Sequence, residues 1–144
     1  MDRSDAVLDF IRRLWAVDHE LQRASKRMVG RIGLTAPQRL ALRFIGLHAG
    51  LTQGALAELL HMHPGTVTGI VRHLQTSGLV ERTRDAEDTR RTHLALTAGG
   101  RRLNRQRKGT VEAAVRRMAA GLPPQDLAAA ARVMDRLARH LAED

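Results

Sequence analysis

The stretch at positions 52–76 reads TQGALAELLHMHPGTVTGIVRHLQT, and it decides the fold. A short helix is predicted over 53–60, because a threonine that can cap its first turn comes directly before it. A second helix is predicted to begin at Pro64, since proline fits the first helical turn and keeps the residue before it out of the helix. That helix runs to Ser77, and Gly78 ends it.

Apolar residues lie on the sides by which these two helices would face each other. Two short helices locked at a steep angle need such contacts, and they need a small residue where the chains touch. Ala57 supplies the small residue. The apolar residues are Leu56, Leu60, Met62, Val67 and Ile70. The pattern predicts a helix-turn-helix, and the alternative is a plain helical hairpin inside a bundle.

Two short strands are predicted directly after the second helix. Residues 79–84 (LVERTR) and 92–96 (THLAL) have the length and composition of strands, and the polar loop 85–91 (DAEDTRR) joins them. The two strands therefore form a hairpin with a charged tip. A hairpin at this place makes the motif a winged helix-turn-helix.

A longer helix and a capped helix are predicted before this motif. Apolar positions between Val7 and Ile32 recur mostly at steps of three, four or seven, which is the period of an amphipathic helix. Thr35, followed three positions later by Gln38, forms a capping-box pattern. It indicates the start of a helix over 36–48.

Helices are also predicted after the wing. Thr97 can cap a fifth helix that extends toward Ala120, and the sequence GLPP at 121–124 forces a break before a sixth. The predicted fold class is therefore mainly α with a small β-hairpin wing, that is α+β. It consists of a winged helix-turn-helix lobe and a helical lobe.

Composition points to an anionic partner. The chain has 144 residues, and 24 Lys+Arg against 15 Asp+Glu give a net charge of +9 at pH 7. Such an excess favours nucleic acid, although charge alone also fits a lipid surface. Phe10, Trp15 and Phe44 are the only aromatic residues, so base-stacking surfaces for single strands are not expected. Duplex DNA is the better candidate.

Several function classes are excluded or disfavoured. The absence of cysteine excludes disulfides, Cys-ligated metals and thiol-based redox sensing. No apolar run reaches the ~18 residues of a membrane span and no signal peptide is recognisable, so a cytoplasmic protein without membrane contact is expected. Neither His93 nor Gly99-Gly100 belongs to a set of catalytic groups, and an enzyme is not expected.

Four segments together resemble the MarR (multiple antibiotic resistance regulator) family across nearly the whole chain. They are LTAPQ at 34–38, LAELLHMHPGTVT at 56–68, GLVER at 78–82 and the wing from DAEDTR at 85–90 to LTAGG at 96–100. The resemblance implies a homodimeric winged-helix transcription regulator, usually a repressor that a small ligand or an oxidant releases from DNA. It implies one domain over 1–144, in which 34–97 bind DNA and the helices of 1–33 and 98–144 form the dimer.

Four positions differ from the family pattern. His61 stands where the family often has glycine, and His63 where it often has a capping serine. Gly69 stands where many relatives have arginine, and Thr89 replaces the first of two wing arginines.

The exposed ridge of the fourth helix is predicted to face the major groove. With Val67, Ile70 and Leu74 in the core, a step of about 100° per residue puts Arg72 on the opposite side. Arg72 suits a guanine or a phosphate, and Arg90 at the wing tip suits the minor groove. The residues predicted to contact DNA are Thr52, Gln53, His63, Gly65, Thr66, Thr68, Gly69, Arg72, His73, Thr76, Arg84, Arg90 and Arg91. For each, the alternative is a solvated surface residue.

A second basic run follows at 101–108 (RRLNRQRK). It raises nonspecific DNA affinity if it faces the backbone. The favoured alternatives are a solvated helix face, or neutralisation by acids of the first helix such as Asp9 and Glu20.

An effector pocket is a further prediction. The resemblance implies walls formed by Trp15 and His19 on the first helix and by Phe44 and His48 on the second. The favoured alternative is that Trp15 and Phe44 are ordinary core residues. No metal or other cofactor is predicted, because the histidines at 61 and 63 lack further ligands at suitable spacing.

The terminal helices predict a homodimer. The apolar stripe of the last helix, together with that of the preceding one, exceeds what a small winged lobe covers. Its residues are Val111, Val115, Met118, Leu127, Met134, Leu137 and Leu141. A two-fold dimer needs an inverted-repeat operator with half-sites about 10 base pairs apart. The runner-up function is a winged-helix protein-interaction module without specific DNA binding.

Overall fold

A computed structural model describes residues 2–143 of the chain. Its described part contains seven helices and one two-stranded antiparallel sheet, which confirms the mainly helical class with a β-hairpin. The elements are α1 (Arg3–Ile32), α2 (Ala36–Leu47), α3 (Gln53–Leu60), α4 (Pro64–Thr76), β1 (Val80–Arg84), β2 (Thr92–Leu96), α5 (Ala98–Arg105), α6 (Val111–Ala120) and α7 (Pro124–Glu143).

The chain forms two compact units, of which the first ends at Thr110 and the second begins at Val111. The first holds α1 to α5 and the hairpin, and the second holds α6 and α7. This division describes which helices pack together, and it does not assign functions to them. The functional division into 34–97 for DNA and the flanking helices for dimerisation stays a prediction.

A single apolar core lies between α2, α3, α4 and the hairpin. Its largest fully buried members within the winged part are Leu34, Leu42, Leu56, Val67, Val71, Leu74 and Leu94. The contacts predicted between α3 and α4 are confirmed: Leu56, Leu60, Val67 and Ile70 are buried, Ala57 lies among them, and Met62 packs against them half-buried. The steep helix pair is therefore fixed by burial, as a helix-turn-helix requires.

The predicted helix starts are confirmed by their capping bonds. The Thr35 hydroxyl accepts a hydrogen bond from the Gln38 backbone N–H at 3.3 Å, and the Gln38 side chain accepts one from the Thr35 N–H at 3.0 Å. Thr97 caps α5 in the same way, with its hydroxyl 3.0 Å from the Gly100 nitrogen. These bonds satisfy N–H groups that have no partner inside the helix.

The hairpin pairs in the register Val80↔Leu96 to Arg84↔Thr92. Leu94 also donates its N–H to the Leu51 carbonyl oxygen at 2.8 Å. The wing is thereby attached to the segment that enters α3.

The fifth helix is shorter than predicted. A single helix was expected from Thr97 toward Ala120, but α5 ends at Arg105 and α6 begins at Val111. Gly109 between them has φ +80°, a left-handed conformation that interrupts a right-handed helix. The prediction of one continuous helix is therefore wrong.

A buried arginine accounts for the early end of α5. Arg39 is 2% exposed, and its guanidinium donates hydrogen bonds to the carbonyl oxygens of Leu103 at 2.6 Å, Asn104 at 3.2 Å and Gln106 at 2.6 Å. In a continuing helix the first two of these oxygens would accept from N–H groups four residues further on. Because Arg39 donates hydrogen bonds to these two oxygens, they do not need the N–H groups of a further helical turn, and α5 can end here.

Much apolar surface of α1, α6 and α7 is exposed on the single chain. Only Met28 of α1 is buried, and the Ser25 hydroxyl near it accepts from the Ala36 N–H at 2.9 Å. Neither α6 nor α7 has a buried residue. The exposed apolar side chains include Val7, Leu8, Phe10, Ile11, Leu14, Trp15, Val17, Leu21, Val115, Met118, Leu127, Val133, Met134 and Leu141. Among residues 2–143, no helix combines the length and the apolar character needed to span a membrane.

Two glycine substitutions test the packing of α5 against the hairpin. A Cβ at Gly100 would lie 2.0 Å from the Leu79 carbonyl oxygen, whereas a Cβ at Gly30 within α1 would meet nothing within 4 Å. We expect Gly100→Ala to lower the free energy of unfolding by about 3 kcal/mol or more. Gly30→Ala should leave it unchanged or raise it by up to about 1 kcal/mol. Urea unfolding at one fixed protein concentration measures both, and equal stabilities would contradict the close packing.

Candidate nucleic-acid interface

One face of α4 is buried and the opposite face is open. Val67, Val71 and Leu74 are 0% exposed and Ile70 is 8% exposed, as the helical period predicted. The residues of the ridge and its flanks that lie exposed are Gly65, Thr66, Gly69, Arg72, His73 and Thr76. The face predicted to meet DNA is therefore accessible, while the contacts themselves stay a prediction.

The start of α4 is capped by a histidine instead of a serine. His63 Nδ1 accepts a hydrogen bond from the Gly65 backbone N–H at 3.0 Å. A Cβ at Gly65 would lie 3.1 Å from that same Nδ1 atom. Gly65 therefore leaves room for the imidazole cap, which gives this glycine a local structural reason.

Gly69 and Arg72 lie on the open part of the helix. A Cβ at Gly69 would meet no heavy atom within 4 Å, so the packing of the chain does not require a glycine there. The Arg72 side chain is exposed and forms no hydrogen bond or ion pair with any of residues 2–143. Because residue 69 is a glycine, the backbone of α4 is uncovered there. The unpaired guanidinium of Arg72 on the same open part of the helix can donate two parallel hydrogen bonds to one partner.

Thr68 is less available than predicted. Its hydroxyl donates to the Pro64 carbonyl oxygen at 3.0 Å and accepts from the Gln53 side-chain N–H at 3.0 Å. A hydroxyl has one proton, so none remains for a phosphate, and the methyl group is what Thr68 can offer. Thr66 has an exposed side chain, whereas the Thr76 hydroxyl donates to the His73 carbonyl oxygen at 3.1 Å.

A residue that sequence reasoning missed, Arg82 of β1, contacts the start of α3. Thr52 caps the helix, with its hydroxyl accepting from the Ala55 N–H at 3.1 Å. The side-chain oxygen of the neighbouring Gln53 accepts a hydrogen bond from Arg82 Nη2. Arg82 lies two residues after the buried Val80 in β1, so the period of a strand puts both side chains on one face. That period could have predicted Arg82 beside the helices.

The wing tip is held by its own polar groups. The Asp85 carboxylate accepts from the Glu87 N–H at 2.9 Å, and its other oxygen lies 3.2 Å from His93 Nε2. The Glu87 N–H, and next the His93 contact, hold the pKa of the Asp85 carboxyl below its usual value. The Asp85 N–H donates to the Arg91 carbonyl oxygen at 3.0 Å. The loop 85–91 is thus an ordered platform for its arginines.

Three arginines of the wing are exposed, two in this loop and one at the end of β1. Arg90 has 91% of its side chain exposed and contacts the Asp88 carboxylate at 3.3 Å. Such an exposed pair is weak and can be exchanged for a phosphate. The side chains of Arg84 and Arg91 form no hydrogen bond or ion pair within the described chain.

The basic run 101–108 is mostly exposed, and Arg101 donates to the Leu96 carbonyl oxygen at 3.1 Å. The α1 acids named as its partners bind arginines of their own helix. Asp9 contacts Arg12 and Arg13, both at 2.8 Å, and Glu20 contacts Arg23 at 3.3 Å. The hydrogen bond from Arg13, and then that from Arg12, lower the pKa of the Asp9 carboxyl.

The predicted effector residues fall into two groups. Phe44 packs against the core half-buried, and its ring centroid lies 6.1 Å from that of His48. Trp15 is 65% exposed and His19 is exposed as well. The alternative that both aromatics are core residues holds for Phe44 and is wrong for Trp15. Across residues 2–143, His, Asp and Glu side chains do not gather in threes that could hold a metal ion.

Comparison with known proteins identifies the family. Residues 32–91 match the family model described as MarR family. An HTH-type transcriptional repressor of Mycobacterium tuberculosis is 30% identical over 118 residues, which cover 82% of this chain and 84% of that protein. The organic hydroperoxide resistance transcriptional regulator of Bacillus subtilis is 32% identical over 87 residues, which cover 60% of this chain. The match spans only 59% of that relative's length.

Solved structures show the same fold. The Staphylococcus aureus MepR–DNA complex aligns with a TM-score of 0.72 at 23% identity, covering 93% of this chain and 97% of that one. CouR from Rhodococcus jostii, bound to p-coumaroyl-CoA, aligns with a TM-score of 0.70 at 26% identity, covering 87% and 88%. Together with the winged helix-turn-helix fold, these findings show that the chain belongs to the MarR family.

Proposed function

We propose that this chain is a homodimeric repressor that binds an inverted repeat in duplex DNA and is released by a small-molecule effector. The observation that carries the proposal is the open ridge of α4, where Gly69 exposes backbone and Arg72 has no partner among residues 2–143. Arginine's planar fork matches two acceptors of guanine in the major groove. Arg84, Arg90 and Arg91 supply cations on the wing for the flanking backbone or minor groove.

Homodimerisation is supported by the uncovered apolar surface. The side chains of α1 from Phe10 to Arg23 are all exposed, and α6 and α7 bury none of theirs. Uncovered apolar surface on each of these helices is typical of an interface. A second copy is the proposed occupant, because a closed two-fold pair places two α4 helices to read two half-sites.

Release by binding of a small molecule is proposed, because the chain has no cysteine that an oxidant could modify. The residues proposed to bind the ligand are Trp15, His19, Phe44 and His48. Of these, Phe44 and His48 lie on one face at the C-terminal end of α2. The binding of p-coumaroyl-CoA by CouR shows that a structurally similar regulator takes an organic ligand. Aromatic and imidazole side chains suit a largely apolar ligand with a few polar groups.

The proposal is tested by binding and by assembly. A gel shift with DNA from upstream of its own gene, at two salt concentrations, should show retardation that scrambled DNA of equal length does not compete away. Footprinting should then show two protected half-sites about 10 base pairs apart. Sedimentation equilibrium at micromolar protein should give twice the chain mass.

The outcomes separate the candidate functions. Equal retardation of operator and scrambled DNA would reject sequence-specific regulation and favour a protein-interaction module. Protection of one asymmetric half-site would reject the two-fold geometry, and a monomeric mass would reject the dimer.

Gly69→Ala tests whether bare backbone on α4 approaches DNA. The new methyl enters open space, so alanine's helix propensity should raise the free energy of unfolding by about 0.5–1 kcal/mol. If backbone and DNA lie in contact, the same methyl should weaken operator binding. Urea unfolding and anisotropy titration of one preparation measure the two effects. Unchanged operator affinity would show that Gly69 merely lacks a reading side chain.

Arg72→Ala tests direct readout. Loss of a bidentate base contact should reduce operator affinity by about 1–3 kcal/mol per contact and relax discrimination at one position of each half-site. Scrambled DNA should be bound almost as well as before. An equal loss of affinity on both duplexes, measured by anisotropy, would show that Arg72 is not the reading residue.

Arg90→Ala is the matched comparison on the wing. Its side chain lies at the hairpin tip, within reach of backbone or minor groove only. Binding to operator and scrambled DNA should weaken evenly, and the slope of log affinity against log salt should fall by about 1 per lost phosphate contact. Titrations at three salt concentrations measure the slope. If Arg90 only stiffens the wing through Asp88, affinity and slope should both stay nearly unchanged.

A further inference from the structure

A hydrogen-bonded bridge joins three elements around α4. The Gln53 side-chain oxygen in α3 accepts from Arg82 Nη2 in β1, and the Gln53 side-chain nitrogen donates to the Thr68 hydroxyl in α4 at 3.0 Å. The Thr68 hydroxyl in turn donates to the Pro64 carbonyl oxygen at 3.0 Å. The bridge therefore runs from the wing strand, through α3, to the N-terminal part of α4.

The chemistry of the three side chains fixes the direction of every bond. A guanidinium can only donate, so the group of Gln53 that faces Arg82 must be its carbonyl oxygen. The amide nitrogen then points at Thr68, whose hydroxyl must accept. Its single proton is left for Pro64. No alternative arrangement of the same atoms satisfies all of these groups, so the bridge has one polarity and one geometry.

We propose that Gln53 is a positioning residue for α4, which holds the groove-facing helix and the wing strand in one fixed relation and thereby sharpens sequence discrimination. This inference rests on the proposed DNA binding. Gln53 and Thr68 were predicted to contact DNA themselves, whereas the bridge gives them a role inside the protein.

The hydrogen bonds of the bridge restrict small rotations of α4 against α3 that apolar packing permits. The buried contacts of Leu56 with the α4 stripe hold the two helices together, yet apolar contact is not directional and tolerates small rotations. The Thr68 hydroxyl lies one turn into α4, on the part of a recognition helix that contacts base edges. A shift of α4 by a fraction of an ångström there changes base contacts, while phosphate contacts to flexible arginines survive.

The competing interpretation is that Gln53 touches a phosphate directly. The two interpretations predict different responses to salt and to sequence. A lost phosphate contact weakens binding to every duplex and lowers the salt slope by about 1. A lost positioning bond reduces operator affinity more than scrambled-DNA affinity and leaves the salt slope unchanged.

Three variants carry the test, all without a change of net charge. Gln53→Met keeps the length of the side chain and removes both arms of the bridge. Thr68→Val keeps a methyl group and removes only the hydroxyl. We expect each to reduce the ratio of operator to scrambled-DNA affinity by about fivefold to tenfold at constant salt slope. The double variant should lose no more than either single one, because both break the same bridge.

The control is Thr83→Val, an exposed position in β1 outside the predicted DNA contacts, which should leave the ratio and the slope unchanged. Three results would overturn the proposal: an unchanged ratio in both single variants, a fall in slope of about 1 in Gln53→Met, or additive losses in the double variant.

A DNA-free measurement separates failure of the bridge from failure of the proposed function. Hydrogen exchange of the amides at 66–69 should be faster in Gln53→Met and in Thr68→Val than in the unmodified protein, at equal global stability by urea unfolding. Unchanged exchange would reject the bridge whatever the protein binds. If the unmodified protein does not distinguish operator from scrambled DNA, the proposed function fails and this measurement alone decides the inference.

Discussion

Burial of one face of α4 is the constraint on which the rest of the winged unit depends. Val67, Val71 and Leu74 are completely buried against α2, α3 and the hairpin, so the helix cannot rotate about its axis without exposing them. The opposite face is then necessarily open, and it carries Gly69 and Arg72. An accessible surface on α4 and a stable core are two consequences of the same helical period. Burial sets the rotation of α4 about its axis. The caps, the wing and the bridge at Gln53 adjust that orientation further.

Local signals made most of this unit predictable. Thr35, Thr52 and Thr97 each cap a helix where the sequence places a threonine before an apolar period, because a cap depends on residues only two or three positions away. The face of α4 followed from spacing for the same reason. The early end of α5 could not be predicted in this way, because Arg39 captures carbonyl groups more than sixty positions along the chain. Arg39 also reverses the usual expectation that an arginine is exposed.

In the candidate site, too, features set by local sequence were predictable and features set by distant residues were not. That Gly65, Arg72 and the wing arginines lie on an accessible surface was predictable from the helix and turn patterns. That Thr68 has already committed its hydroxyl was not, since its partner Gln53 lies on another helix and depends in turn on a strand. The two glycines of α4 show the difference well. Gly65 accommodates the imidazole of a capping histidine, whereas Gly69 has open space, and no local rule distinguishes them in the sequence.

The two compact units differ in how they can be stable. The first has its own apolar core, whereas α6 and α7 bury no residue and α1 leaves Phe10 and Trp15 exposed. Helices in proteins gain most of their stability from packing of an apolar face, so the terminal helices need apolar partners to stay folded. If a second copy provides that cover, folding of these helices and assembly become one equilibrium that depends on protein concentration.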